Sequence, residues 1–270
     1  MNEPIERAAE AIRNADYIWI GAGAGIGVDS GLPDFRGPEG FWRAYPVLKG
    51  IPFEEMANPA WFRSDPSRAW GFYGHRLNLY RETIPHQGFS IMKSWIDERK
   101  GGFVYTSNVD GQFQKAGFSE EMICECHGSI HWLQDLQPSQ SKKIWSADQL
   151  VVNVDENELR AQEPLPMREG KIIRPNILMF GDWDWLSGRT EQQQTNMYTW
   201  SQEVSSGQLA IIEIGAGTSI PSVRRKSHML LEQGACLIRI NPRESHGPNG
   251  TISMAMGGLQ GLSLIDEALR

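Results

Sequence analysis

Residues 17–37 read YIWIGAGAGIGVDSGLPDFRG. An apolar run, Tyr17 to Ile20, enters a cluster in which Gly21, Gly23, Gly25 and Gly27 stand at every second position. A strand that is apolar throughout suits a parallel sheet covered on both faces, and a glycine turn at its end lets the backbone approach a phosphate closely. The strict G-x-G-x-x-G spacing of a dinucleotide fingerprint is not met, so the cluster alone fits a ligand-free strand-to-helix turn as well. The continuation is costly for a mere turn. Asp34, Phe35 and Arg36 set an acid, an aromatic face and a permanent cation beside the glycines. Phe35 suits the cover of a planar ring, and Arg36 suits a phosphate or a ribose.

Working outward, Ile5, Ala8, Ala9 and Ile12 recur at helical spacing, so residues 3–15 read as an amphipathic helix leading into this strand. Further apolar runs follow at GFVYTSN (102–108), MICECHGSI (122–130), NILMF (176–180), LAIIEIGAG (209–217) and ACLIRIN (235–241). Five or six such strands separated by helical or irregular stretches predict an α/β fold, a Rossmann-like doubly wound parallel sheet. The turn Ile20–Gly23 is repeated as Ile214–Gly217. Ligands of open parallel sheets sit beyond the carboxyl ends of the strands, so both turns are expected to border one crevice. The large domain is expected over 1–37, 85–130 and 174–270. The aromatic, arginine-rich residues 38–84 and the polar, proline-bearing residues 131–173 are expected to be insertions forming a smaller lobe.

The chain has 270 residues, with 26 basic against 33 acidic side chains and a net charge of −7. It lacks the positive field of a nucleic-acid binder, and no stretch reaches the roughly 20 apolar residues that span a bilayer. A soluble, intracellular, cytoplasmic protein is expected, with no nucleic-acid or membrane partner. Of three cysteines, Cys124 and Cys126 form a C-x-C on one strand face and read as small buried fillers; there is no disulfide framework.

Candidate chemistry clusters at strand ends. In TSNVDGQFQKAGF, Asn108 and Asp110 stand two apart, so both side chains can face one crevice, although an Asx-type turn would use the same residues. In ECHGSI, His127 ends a strand before a glycine. It is either structural or a general base near neutral pH.

In order and content these segments resemble the sirtuins, NAD-dependent protein-lysine deacylases. GAGIGVDSGLPDFRG (23–37) resembles their glycine-turn and P-D-F-R-G signature, TSNVDGQFQKAG their T-Q-N-I-D segment, and HGS (127–129) their histidine motif. RPNILMFGD (174–182) resembles the substrate strand, GTS (217–219) the adenosine-side loop, and Asn241 the later I-N segment. The resemblance covers nearly the whole chain. It implies NAD as cofactor, held by Gly23, Ala24, Gly25, Asp34, Phe35, Arg36, Ser107, Asn108, Asp110, Gly217, Thr218, Ser219 and Asn241. It also implies that Asn108 and Asp110 position the ribose and the nicotinamide amide, and that His127 deprotonates a ribose hydroxyl. An acylated lysine peptide is the implied partner, with Phe180, Gly181 and Asp182 bordering its channel. Asp182 stands where the family has glutamate.

Other departures are Ser107 for glutamine, Phe113 for histidine and Gly27 for serine. Sirtuins carry four zinc-binding cysteines between the H-G-S and R-P motifs; here residues 130–173 contain no cysteine and one histidine, His131. No metal ligand is therefore assigned, and the lobe is expected to pack on Trp132, Trp145, Leu150, Leu159, Leu165 and Met167. DPSRAWGFYGHR (65–76) resembles the segment of sirtuins that prefer acidic acyl groups, in which a tyrosine and an arginine three apart line the acyl pocket. Tyr73 and Arg76 share a helix face at that spacing, which suits a succinyl or malonyl carboxylate. The rival reading is an NAD glycohydrolase or ADP-ribosyltransferase, since the same pocket can deliver a ribosyl electrophile to water or another nucleophile.

Overall fold

The structure is a computed structural model and describes residues 3–33, 37–138, 142–204 and 207–270. Asp34, Phe35 and Arg36 lie outside the described residues. Helix α1 (Glu3–Asn14) buries Ile5, Ala8, Ala9 and Ile12, the spacing read from the sequence, and leads into β1 (Tyr17–Ala22). After a 3-10 turn over Ala24–Ser30 come α2 (Gly37–Ala44), α3 (Phe53–Met56), α4 (Trp61–Ser64), α5 (Pro66–Glu82) and α6 (Gln87–Asp97). Then follow β2 (Gly101–Thr106), α7 (Gln112–Lys115), β3 (Ile123–Glu125), β4 (Gly128–Asp135), β5 (Ile144–Ser146), β6 (Val154–Asp155), β7 (Arg160–Ala161), β8 (Met167–Arg168) and β9 (Lys171–Ile177). The chain closes with α8 (Gly188–Val204), β10 (Leu209–Ile214), α9 (Ser222–Glu232), β11 (Cys236–Ile240), β12 (Ile252–Met254) and α10 (Gly258–Leu269).

Six strands pair in parallel in the order β12-β11-β10-β1-β2-β3. The order reverses between β10 and β1, which places a crevice at their carboxyl ends. Both faces are covered, as apolar parallel strands require. One face packs Ile18, Ile20, Val104 and Ile212 with α1, α6 and α10, and the other packs Trp19, Phe103, Ile211 and Leu237 under α8 and α9. Cys124 is buried on that second face and is a free thiol.

Two of the expected strands sit differently. MICECHGSI is two strands: β3 ends in the large sheet, and β4 starts a four-stranded sheet of order β5-β4-β9-β8. Gly128 makes that crossing with φ +79°, where a Cβ would stand 2.2 Å from the Asn176 carbonyl oxygen. NILMF likewise leaves the large sheet, since Asn176 and Ile177 pair antiparallel with β4. The edge strand β12 completes the large sheet in its place. The small sheet thus runs from Gly128 to Ile177, so the expected lobe limits at 131 and 173 fall inside β4 and β9.

The smaller lobe has its own apolar cluster of Phe41, Trp70, Phe72, Tyr73, Ile130, Leu159 and Ile173, with Trp145, Leu150 and Leu165 packed against it. Met167 is not part of this core and is 51% exposed. Trp132 instead carries the Arg189 guanidinium over its ring at 5.4 Å. Asp65 caps α5 by accepting from Arg68 N, and it pairs in bidentate fashion with Arg160 of β7 at 3.0 and 2.8 Å. The Trp70 indole donates to the Ile173 carbonyl at 2.9 Å. At Gly71 a Cβ would lie 2.1 Å from the Leu159 carbonyl, so residues around 159 rest directly on the helix backbone. Among the described residues no group of three or more His, Cys, Asp or Glu side chains could hold a metal ion, and no helix is long and apolar enough to cross a membrane.

Candidate functional site

The floor of the site is two glycine turns locked backbone to backbone. Gly23 N donates to the Ile214 carbonyl and Gly25 N to the Gly215 carbonyl, both at 3.0 Å. A Cβ on Gly23 would lie 2.7 Å from Ala216 Cα, and one on Gly215, where φ is +64°, would lie 2.3 Å from Ile26 N. Neither position tolerates a side chain, and the interlock leaves bare backbone facing the crevice between β1 and β10.

Above this floor is a cleft of about 560 Å³. Gly23, Ala24 and Gly25 line it from one turn, Gly217 and Ser219 from the other, and Ser107, Asn108 and Asp110 from the end of β2. His127, Tyr73, Arg76, Phe180 and Gly181 complete the wall. The structure therefore gathers residues from six separated segments into one space.

Each polar group is held from behind. Asn108 Nδ2 donates to the Gly23 carbonyl at 3.2 Å and its backbone N–H to Thr106 Oγ1 at 3.0 Å, which ties the β2 end to the glycine floor. Asp110 accepts from Gln112 N at 2.9 Å. Burial is the main cause that pushes its carboxyl up to about 6, with the nearby Glu125 charge adding to it and the Gln112 bond opposing it. His127 sits at the crossing between the two sheets, and its carbonyl accepts from Leu178 N at 2.9 Å. Burial lowers the imidazole below its ordinary value, opposed by a hydrogen bond to the Ser107 backbone. The ring is therefore a free base at neutral pH. Ser222 Oγ lies 3.3 Å from its Nε2.

Tyr73 and Arg76 lie on the inward face of α5, both buried. The guanidinium lies 5.2, 5.8 and 5.4 Å from the ring centroids of Phe72, Tyr73 and Tyr80, and its Nε donates to Tyr80 Oη at 3.0 Å. Burial raises the Tyr73 phenol to about 12, so it stays neutral.

Three expected site residues stand back from the cleft. The Asp182 side chain is fully buried and makes a bidentate pair with Arg174, whose Nη2 also donates to the Ile177 carbonyl at 2.7 Å and whose Nε donates to the Pro175 carbonyl at 3.4 Å. It also accepts from Met179 N at 3.2 Å and Asp184 N at 3.3 Å. Its work is to hold the 177–182 segment so that Phe180 and Gly181 face the cavity. Thr218 turns away to donate to Glu244 Oε1 at 2.7 Å. Asn241 is buried; it donates to the Ala216 carbonyl at 3.0 Å and accepts from Arg243 N and Glu244 N, shaping the second turn from below. Asp34, Phe35 and Arg36 are outside the described residues, with Pro33 the nearest described lining residue.

Sequence reasoning placed the Ile214–Gly217 turn at the crevice without singling out Gly215, and it missed Tyr80, Arg174 and Ser222. An arginine in an otherwise apolar strand demands a buried partner, which points to Arg174. Phe113, in place of the family's histidine, packs on Phe89 and Phe118 at centroid distances of 5.0 and 5.1 Å, a core position where an imidazole would need a partner.

Comparison with known proteins agrees with this geometry. An NAD-dependent protein deacylase of Caldanaerobacter subterraneus is 28% identical over 236 residues, covering 87% of this chain and 86% of that one. An NAD-dependent protein deacetylase of Saccharolobus solfataricus is 28% identical over 246 residues, covering 89% and 86%. A Sir2 homologue solved as an NAD complex superposes with a TM-score of 0.74 at 22% identity, over 99% of this chain and 94% of that one. The Sir2 family model matches residues 23–211, which span the first glycine turn, the Asn108–Asp110 end of β2, His127 and the Arg174–Asp182 segment, and the chain belongs to that family.

Proposed function

We propose that the protein removes acyl groups from lysine side chains of proteins with consumption of NAD, releasing nicotinamide and leaving the acyl group on ADP-ribose. The observation that carries this reading is the convergence of His127, Asn108 and Asp110 on one cleft over a floor of side-chain-free backbone. The names of the relatives, NAD-dependent protein deacylase and deacetylase, support it.

The residues present fit a dinucleotide. The Gly23–Gly25 and Gly215–Gly217 backbone offers the close approach a pyrophosphate needs, with Ser107 and Ser219 at the sides. The family resemblance assigns Asp34, Phe35 and Arg36 to NAD binding as well. When bound, NAD supplies a ribose carbon that becomes electrophilic as nicotinamide departs. Asn108, already fixed to Gly23, orients a ribose hydroxyl with its remaining carbonyl oxygen. Asp110, ionised above about pH 6, accepts from an amide N–H. His127, neutral at pH 7, takes the proton of a ribose hydroxyl. Leu178, Met179 and Phe180 give the acyl-lysine an apolar wall.

The acyl group itself is proposed to be acidic, succinyl or malonyl. A buried guanidinium among three aromatic rings with a neutral phenol beside it suits a carboxylate that must leave water. The lobe is proposed to be held without zinc, by the Asp65–Arg160 pair and the contact of Gly71 with Leu159.

The test is nicotinamide release from NAD measured with unmodified, acetylated and succinylated peptides. Release that depends on the acyl group, and is fastest with succinyl-lysine, is expected. Release at the same rate without any peptide overturns the reading in favour of NAD glycohydrolysis.

A further inference from the structure

We infer that Ser222 is a positioning residue for His127: its hydroxyl holds Nε2 as the unprotonated nitrogen and aims it at the substrate before a ribose hydroxyl takes its place. The inference rests on the reading of His127 as the general base.

Ser222 Oγ is 3.3 Å from His127 Nε2. On its other side the imidazole faces the Ser107 backbone, which favours the protonated ring, the effect of a main-chain acceptor for a ring N–H. A neutral imidazole has one N–H. With that proton committed to Ser107, Nε2 is left as the lone pair, and the partner it requires is a donor. Ser222 supplies one.

Placement strengthens this assignment. Ser222 is the first residue of α9, preceded by Pro221 at the cap, so His127 meets that helix at its positive end. That field disfavours an imidazolium. The main chain on the other side is equally constrained, because Gly128 has room for nothing but hydrogen and the His127 carbonyl is bound to Leu178 N. The ring can swing only about its own side-chain torsions, and Ser222 restrains those.

The charged and titratable groups on the elements around the ring are Glu125 and Cys126 just before it, Asp110 across the cleft, and Arg224, Arg225, Lys226, His228 and Glu232 along α9. Burial pushes the Cys126 thiol up to about 11, so it is neutral through the working range. Burial and the Ser107 bond are the two causes acting on His127. Loss of a donor to the neutral ring raises its pKa, so the acid limb of activity moves to higher pH.

Full-length protein carrying ¹⁵N-labelled histidine is compared as wild type, Ser222→Ala and Ser222→Thr. In the free wild-type protein the His127 imidazole is expected as the single tautomer with Nε2 unprotonated; Ser222→Ala gives a mixture, and Ser222→Thr restores the single form. With acylated peptide, Ser222→Ala lowers the ratio of net deacylation to nicotinamide exchange roughly 3- to 10-fold, the span given by loss of one neutral hydrogen bond. The acid limb of its kcat/KM profile moves up by about half a pH unit. Threonine rescues both. An alanine variant with an unchanged imidazole spectrum and pH profile overturns the inference whatever its turnover. A wild type without acyl-dependent turnover instead overturns the proposed function, while the spectra still decide the role of Ser222.

Discussion

Replacing Asp182 with alanine tests whether the cleft wall depends on a buried charge that the cavity never touches. Both side chains of the Arg174–Asp182 pair are fully shielded from solvent, so nothing outside can screen the guanidinium once the carboxylate is gone. Removing one partner of such a pair leaves an uncompensated buried charge, at a cost of about 3 to 5 kcal/mol. The backbone N–H groups of Met179 and Asp184 lose an acceptor as well, which keeps the estimate at its upper end. For a chain of this size that corresponds to a fall in Tm of roughly 6 to 20 °C. Urea denaturation gives the free energy directly. A double variant, Arg174→Met with Asp182→Leu, is expected to recover much of the loss, because a buried ion pair exchanged whole for apolar groups costs little. Asp182→Ala within about 1 kcal/mol of wild type, or no recovery in the double variant, would refute the argument that this pair braces the segment bearing Phe180 and Gly181.

Arg76→Leu should slow removal of succinyl groups while leaving acetyl removal much less affected, because an unpaired carboxylate in the channel loses roughly 2 to 5 kcal/mol; equal losses on both peptides would rule out an acidic acyl pocket. Asp110 bears on stability as well as binding. Its carboxyl is raised from 3.8 to about 6, so the stability it lends is full below about pH 4 and lost as pH climbs through 6, a change of about 3 kcal/mol. Asp110→Asn should flatten that slope in pH-dependent unfolding and raise stability at pH 7, while weakening nicotinamide exchange. Gly215→Ala should abolish NAD binding measured by calorimetry, because its Cβ meets the Ile26 backbone. Metal analysis of purified protein should find no stoichiometric zinc, with Tm unmoved by chelators; one tightly held zinc per chain would show that the 130–173 segment is organised otherwise than by the Asp65–Arg160 pair and its apolar cluster.

The parallel sheet was legible because buried parallel strands need continuous apolar runs, and YIWI, GFVYT, LAIIEI and CLIRI supply them. The two glycine turns were legible for the same reason that they exist, since only glycine permits the backbone approach. A strand end at His127 was legible too, but the change of sheet was not, because Ser129 and Ile130 resume a strand at once and the crossing depends on the positive φ of Gly128. The edge strand β12 escaped because three residues carry no period. Asp182 shows the limit for sites: a motif can say that a carboxylate belongs near a channel, but whether it faces the channel or the protein is decided by Arg174, eight residues earlier. Ser222 lies 95 residues from His127, and their meeting depends on the strand order rather than on any local pattern.

The interlock of the glycine turns also bears on when, during synthesis, the protein can first respond to its cofactor. Gly23 and Gly25 emerge early, but their partners at Ile214 and Gly215 are made some 190 residues later, and the adjoining strands β1 and β10 are neighbours in the sheet. Until that pairing closes, a nascent chain offers half a cradle, and the loop closure it awaits is one of the longest in the fold. Cofactor in the cell therefore stabilises the finished protein and gives little help to the growing one. Chains stalled before residue 215 should be as protease-sensitive with NAD as without it.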